Sequence, residues 1–251
     1  MPATEPASLW PSRLWLMRHA ESAGNVAREA AEAAGHERIA LDTRDVDVPL
    51  SDLGKRQAEA YGAWVARQPP EEQPTALWVS PYLRAVQTAE TALAAAGLDV
   101  PVRVDERFRE REFGVLDGLT KRGILAQWPD EARRRRAIGK FYHRPPGGES
   151  WTDALLRVRS AVVDLRHDCA GERVLVVAHQ VVVLLVRYVV EGMTEQDVLA
   201  VDAEGDVANC SLTSYALRGS GLRLQAYNDV SHLETEREPV TAEPEGPHGA
   251  A

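Results

Sequence analysis

Short apolar runs alternate with longer amphipathic stretches along most of the chain. Leu14-Trp15-Leu16-Met17 reads as a strand, and a 3.6-residue apolar period then predicts a helix from about Gly54 to Arg67. Leu77-Trp78-Val79 is followed by a helical pattern from Pro81 to Ala96, and Val102-Arg103-Val104 by helical segments between Lys121 and Lys140. A long helix from Trp151 to Cys169 leads into the run Val174 to Ala178 and a helix from about Val181 to Val190. Two last strands, near Ser211–Leu217 and Leu222–Tyr227, flank Gly219-Ser220-Gly221 as a hairpin. Boundary signals support the assignment: Ser80-Pro81 has the form of a cap with proline in the first turn, Gly97 follows a helix end, and Ser150 with Asp153 resembles a capping box. The pattern predicts an α/β fold, a three-layer αβα sandwich with a mostly parallel central sheet of about six strands and helices on both faces.

The ends break this pattern. Residues 1–12 and 231–251 are rich in Pro, Ala, Glu and Gly without periodicity, which predicts a flexible N-terminal tail, a domain over 13–230 and a disordered acidic C-terminal tail, with chemistry in neither tail. The formal net charge of −9 argues against a nucleic-acid partner, and Asp229 to Ala251, with six acids and one base, supplies −5 of it. Two cysteines, Cys169 and Cys210, are too few for a disulfide framework and lack metal-site spacing. Residues 1–12 have no basic and apolar regions of a secretory signal, and the apolar stretch Val174–Val190 is interrupted by His179, Gln180 and Arg187. No membrane partner and a cytoplasmic location are expected. A homodimer is one assembly the sequence leaves open.

In open α/β sheets ligands bind beyond the carboxyl ends of the strands. The residues there are Arg18 and His19 after the first run, Arg84 after the second, Glu110 after the third and His179 after the fourth. Arginine forks grip phosphoryl oxygens, a histidine can attack phosphorus, and a carboxylic acid can protonate the departing oxygen. Glu112, two residues on, is the alternative acid.

The stretch Leu16-Met17-Arg18-His19-Ala20-Glu21-Ser22-Ala23-Gly24-Asn25 resembles the Arg-His-Gly signature of the histidine phosphatase superfamily, phosphoglycerate mutase-like branch, with Ala20 where glycine is usual. Further blocks follow in order: Pro49-Leu50-Ser51 with Gly54 and Gln57-Ala58, Ser80-Pro81-Tyr82-Leu83-Arg84-Ala85-Val86-Gln87-Thr88, Arg109 to Gly114, Gly147 to Ser150, and Val177-Ala178-His179. The resemblance spans about residues 14 to 217. It implies His19 as nucleophile of a phosphohistidine mechanism, Arg18, Arg84 and His179 around the phosphoryl group, and Glu110 as proton donor and later base. It also implies substrate contacts from Ser22, Asn25 and Gln180, and a small phosphorylated metabolite as substrate, with no metal or cofactor.

Gln180 after His179 and the segment Lys140 to Ser150 resemble the fructose-2,6-bisphosphatase domain, which implies that Arg136, Lys140 and Arg144 face a sugar phosphate. Leu184 and Lys121 depart from that domain's arginine and tyrosine, and the chain has no GxxxxGK[ST] loop of a kinase. The leading expectation is a metal-independent phosphatase for small sugar or glycolytic monoesters. The alternatives are a cofactor-dependent phosphoglycerate mutase and a non-catalytic phosphate-binding or scaffold module. Only one or two of the run Arg133 to Arg136 can face a pocket, because consecutive helix residues point in different directions. Residues 26–47 read as an insertion, helical at its start, that covers the pocket.

Overall fold

The computed structural model describes residues 9–243. Strands β1 (Arg13–Arg18), β2 (Ala76–Val79), β3 (Val102–Val104), β4 (Arg173–Ala178), β5 (Leu212–Arg218) and β6 (Gly221–Asp229) form one sheet in the order β3-β2-β4-β1-β5-β6. Neighbours from β3 to β1 run parallel, and β5 and β6 pair antiparallel at the other edge. This is the predicted, mostly parallel α/β sheet. The continuous apolar runs are explained by burial on both faces. In β1, Leu14 and Leu16 enter one core while Trp15 and Met17 enter the other; in β4, Val174 and Val176 oppose Leu175 and Val177 in the same way.

Each core is closed by its own helices. On the first face lie α6 (Trp151–Asp168) and α7 (Gln180–Glu191); on the second lie α2 (Asp52–Ala66) and α3 (Leu83–Ala96). Further helices include α1 (Ala23–Ala33), α4 (Lys121–Gln127), α5 (Pro129–Ile138) and α8 (Glu195–Glu204), the last without a clear apolar period in the sequence. Ser150 and Asp153 form the expected capping box, and Gly97 ends α3 in the left-handed conformation at φ 64°. The start of α3 differs from expectation. It begins at Leu83, two residues after Pro81, and Ser80 turns its hydroxyl elsewhere. At α2 the close approach of two segments demands glycine, since a Cβ on Gly54 would lie 1.9 Å from the carbonyl oxygen of Glu21.

The described parts of the supposed tails are ordered. At the start, Ser12 donates to the Glu172 carbonyl at 2.8 Å and Trp10 accepts from Gly171 at 3.0 Å; residues 1–8 lie outside the described residues. At the other end α9 (Ser231–Glu236) sets His232 and Leu233, both fully buried, against α2, with the His232 ring 5.4 Å from that of Tyr61. Beyond it, Gln57 donates to the Pro239 carbonyl at 2.9 Å, and Asn209 donates its backbone N–H to Thr241 at 2.8 Å. The expectation of disorder from 231 onward is thus corrected for 231–243, and 244–251 lie outside the described residues. A polar composition hid an order that comes from contacts distant in sequence rather than from local periodicity. No described helix is long and apolar enough to cross a membrane.

This docking predicts a pH dependence. Burial holds the His232 imidazole down at about 4, whereas an unfolded histidine titrates near ~6.5. As pH falls through that window the unfolded chain binds a proton that the folded one refuses, so stability is lost progressively, by up to about 3 kcal/mol. His232→Gln keeps a donor for the Cys210 carbonyl, which Nε2 now meets at 2.9 Å. Thermal melts should show the variant less stable than wild type at pH 7.5, with the gap closing by pH 4.5. A constant gap would mean that His232 does not titrate in this way.

Candidate active site

The carboxyl ends of β1, β2 and β4 and the segment after β3 converge on one cleft. The turn after β1 is fixed from several sides. His19 donates its backbone N–H to Ala178 at 2.8 Å, Ala20 donates to the Thr88 hydroxyl at 3.1 Å, and Asn209 donates to the His19 carbonyl at 3.1 Å. Ala20 itself is fully buried in the second core.

His19 Nδ1 lies 2.8 Å from the Ala20 carbonyl, which can only accept, so this nitrogen carries the proton. Nε2 then keeps its lone pair and accepts from Arg84 Nε at 3.3 Å. Burial, with Arg84 and Arg18 adding to it, holds the imidazole well below the usual histidine range. The ring is neutral and nucleophilic at neutral pH.

His179 stands 5.2 Å from His19 between ring centroids. Its Nε2 meets Ser80 Oγ at 2.7 Å, and that oxygen accepts from the Tyr82 backbone at 3.3 Å. The Ser80 hydroxyl can donate to Nε2, the arrangement in which the His179 proton sits on Nδ1. Nδ1 is buried without a hydrogen-bond partner among the described residues and lies 3.9 Å from Glu110 Oε2. A buried donor without an acceptor costs about 1–3 kcal/mol, so an anion seated here would recover that loss. Burial, followed by Arg84 and His19, also lowers the His179 imidazole well below its usual range.

Arg18 is buried and donates through Nη1 to Gln180 Oε1 and to the Glu243 carbonyl, both at 3.1 Å, and to the Val207 carbonyl. Its Nε has no hydrogen-bond partner among the described residues. Gln180 is held in turn by donating to Asp206 at 2.9 Å. The C-terminal segment, expected to carry no chemistry, thus reaches the site: Glu243 is buried, hydrogen-bonds the Asn25 side chain and is pushed up in pKa by burial.

Glu110 lines the cleft, whereas Glu112 is half exposed and turned to Tyr82 at 3.2 Å; of the two candidate acids the structure brings Glu110 into the cleft wall that also holds His19. One Glu110 oxygen accepts from the Arg111 backbone at 2.7 Å. The segment is braced by Arg157 of α6, which donates to the carbonyls of Arg107 and Arg109 at 2.8 Å and of Glu110 at 3.1 Å while pairing with Glu149 at 2.8 Å. Nothing in the sequence marked Arg157, which has the spacing of an ordinary helix arginine.

Ser22 and Asn25 line the cleft and cap α1 reciprocally, Asn25 N donating to Ser22 Oγ at 3.1 Å. The insertion does cover the cleft, contributing Arg28, Ile39, Leu41, Thr43 and Asp45 to its wall. Arg84 forms a two-pronged ion pair with Asp45, Nη1 to Oδ1 at 3.0 Å and Nη2 to Oδ2 at 3.2 Å. Two expected substrate contacts are not brought here. Lys140 is drawn to Asp202 at 2.6 Å and lies over Trp151, and Arg144, largely exposed, pairs with Asp153, the capping residue of α6. Neither they nor the exposed Arg136 lines the cleft. Acidic neighbours on adjoining helices claimed these cations, a competition that composition alone does not reveal.

Comparisons with known proteins identify the family. The chain matches the family described as histidine phosphatase superfamily (branch 1) over residues 14–230. It is 31% identical over 188 residues to a 2,3-bisphosphoglycerate-dependent phosphoglycerate mutase of Methylobacterium radiotolerans, covering 74% of this chain and 82% of that one. It is 30% identical over 175 residues to a 6-phosphofructo-2-kinase/fructose-2,6-bisphosphatase of Caenorhabditis elegans, covering 69% of this chain but 33% of that protein, so the match spans about a third of it. Among solved structures, a mycobacterial glucosyl-3-phosphoglycerate phosphatase with vanadate superposes at a TM-score of 0.65 with 27% identity, over 86% of this chain and 99% of the other.

Proposed function

The chain belongs to branch 1 of the histidine phosphatase superfamily, and from that premise we propose that it is a metal-independent phosphatase of small phosphate monoesters, acting through a phosphohistidine at His19. The observation that carries this reading is the His19 lone pair on Nε2, flanked by Arg84 Nε at 3.3 Å and by the buried Nδ1 of His179, which has no hydrogen-bond partner among the described residues. In the proposed reaction Nε2 attacks phosphorus in line with the ester oxygen, the P–O bond breaks, and Glu110 protonates the leaving alkoxide. Charge on the equatorial oxygens is met by Arg18, Arg84, His179 and Asn25. Water, deprotonated by Glu110, then attacks the phosphoenzyme and releases inorganic phosphate with His19 neutral again.

Fructose 2,6-bisphosphate as the dedicated substrate is disfavoured. Leu184 is packed into the first core and cannot serve a second phosphate, and Lys140 and Arg144 are engaged away from the cleft. A mutase reading is favoured by the relative that is 31% identical, and it uses the same residues. The test is phosphate release in EDTA from 4-nitrophenyl phosphate, 3-phosphoglycerate and fructose 1,6- and 2,6-bisphosphates. Release from several esters is expected. Isomerisation of 3-phosphoglycerate primed with 2,3-bisphosphoglycerate, without net hydrolysis, would establish the mutase instead, and inactivity in both assays would return the scaffold reading.

A further inference from the structure

The wall of the cleft beyond the phosphoryl seat has an uneven charge. Its ionisable side chains are Arg28, Asp45 and Asp117. Arg28 has a buried Nη1 without a hydrogen-bond partner among the described residues, and its guanidinium is neighboured by Glu32, Glu243, Asp45 and Asp117. Asp117 accepts from the Gly118 backbone at 3.0 Å, and its carboxyl is pushed up by burial and by the neighbouring charge of Asp45. Lys140 and Arg144 add no positive charge to this wall, being paired with Asp202 and Asp153. The remaining wall offers the Thr43 hydroxyl and the apolar sides of Ile39, Leu41 and Phe113.

The pairing of Asp45 with Arg84 matters most. Both Arg84 prongs that a phosphoryl group would need are held by Asp45, whose side chain is 41% exposed. When a dianionic phosphoryl group takes that fork, the Asp45 charge loses its ion-pair partner and remains at the mouth beside Asp117, where the two acids outnumber the single cation Arg28. A substrate whose alcohol carries a second phosphate or a carboxylate would bring like charge against these acids, while hydroxyl groups would find acceptors in both carboxylates and a donor in Arg28.

We propose that Asp45 and Asp117 are specificity-determining residues that select monoesters of neutral, hydroxylated alcohols and reject alcohols bearing a second anion. This rests on the phosphatase reading, and its test separates the two. The probes are glycerol 3-phosphate and 3-phosphoglycerate, which differ by a hydroxymethyl group in place of a carboxylate, with 4-nitrophenyl phosphate as reference. Wild type should prefer glycerol 3-phosphate in kcat/KM by roughly tenfold or more, the order expected of like-charge contacts near a protein surface. Asp45→Asn and Asp117→Asn should each shrink that preference several-fold relative to the 4-nitrophenyl reference, and the double variant should bring it near unity. Failure of wild type to hydrolyse 4-nitrophenyl phosphate would count against the phosphatase reading itself. With that ester hydrolysed, a wild-type preference for 3-phosphoglycerate, or a preference that both variants leave unchanged, would overturn the selection by Asp45 and Asp117.

Discussion

Replacing His19 with alanine is expected to lower phosphate release by at least about 10⁴-fold while the protein stays folded, because His19 supplies the attacking lone pair of the proposed reaction. The fold should tolerate the change. His19 is neutral in its buried setting, so its removal leaves no uncompensated charge of its own. It gives up two polar contacts, to the Ala20 carbonyl and to Arg84, and Arg84 keeps its ion pair with Asp45. The turn is held by the backbone at position 19, through Ala178 and Asn209, which alanine retains. Circular dichroism and the melting temperature should therefore change little, and acid-quenched mixtures with labelled substrate should lose the phosphoenzyme seen in wild type. Residual turnover above a few per cent of wild type in the folded variant would remove His19 from its role.

The sheet and most helices were legible because burial on two faces imposes apolar runs, and amphipathic helices impose a period; both signals are local. The residues that gather at the strand ends, Arg18, His19, Arg84, Glu110 and His179, could be read because α/β topology fixes where such ends meet. Ser80 shows the limit of local signals. Its sequence is that of a helix cap, yet its hydroxyl orients His179 from 99 positions away. Asp45, Arg157 and Glu243 were invisible for the same reason, since each acts by meeting a group distant in sequence: Arg84, the Glu110 carbonyl and Arg18. Lys140 and Arg144 misled in the opposite direction. Their positive charge was visible, but the acids that absorb it, Asp202 and Asp153, become neighbours only through folding or through the α6 cap.

Glu110→Gln is expected to separate the two functions that the phosphoryl pocket combines. The amide preserves the shape of the side chain and its contact with the Arg111 backbone, now accepted by the amide oxygen, while removing the transferable proton. Binding of the phosphoryl group by Arg18, Arg84 and His179 should persist. For an alkyl ester such as glycerol 3-phosphate, whose alkoxide is a poor leaving group, loss of the acid should slow turnover by roughly 10²–10⁴-fold. For 4-nitrophenyl phosphate the departing phenolate needs no proton, so formation of the phosphoenzyme should be nearly unaffected. Its steady-state rate should fall only as far as hydrolysis of the phosphohistidine, which uses Glu110 as base, becomes limiting. A rapid-quench experiment would then show a burst of 4-nitrophenol, one per active site, followed by a slow phase. Glu112→Gln supplies the contrast, because that side chain is not among those lining the cleft and accepts from the Tyr82 hydroxyl instead. Equal losses on alkyl and aryl esters with no burst would exclude Glu110 as the acid, and the selective loss appearing in Glu112→Gln instead would transfer the role there.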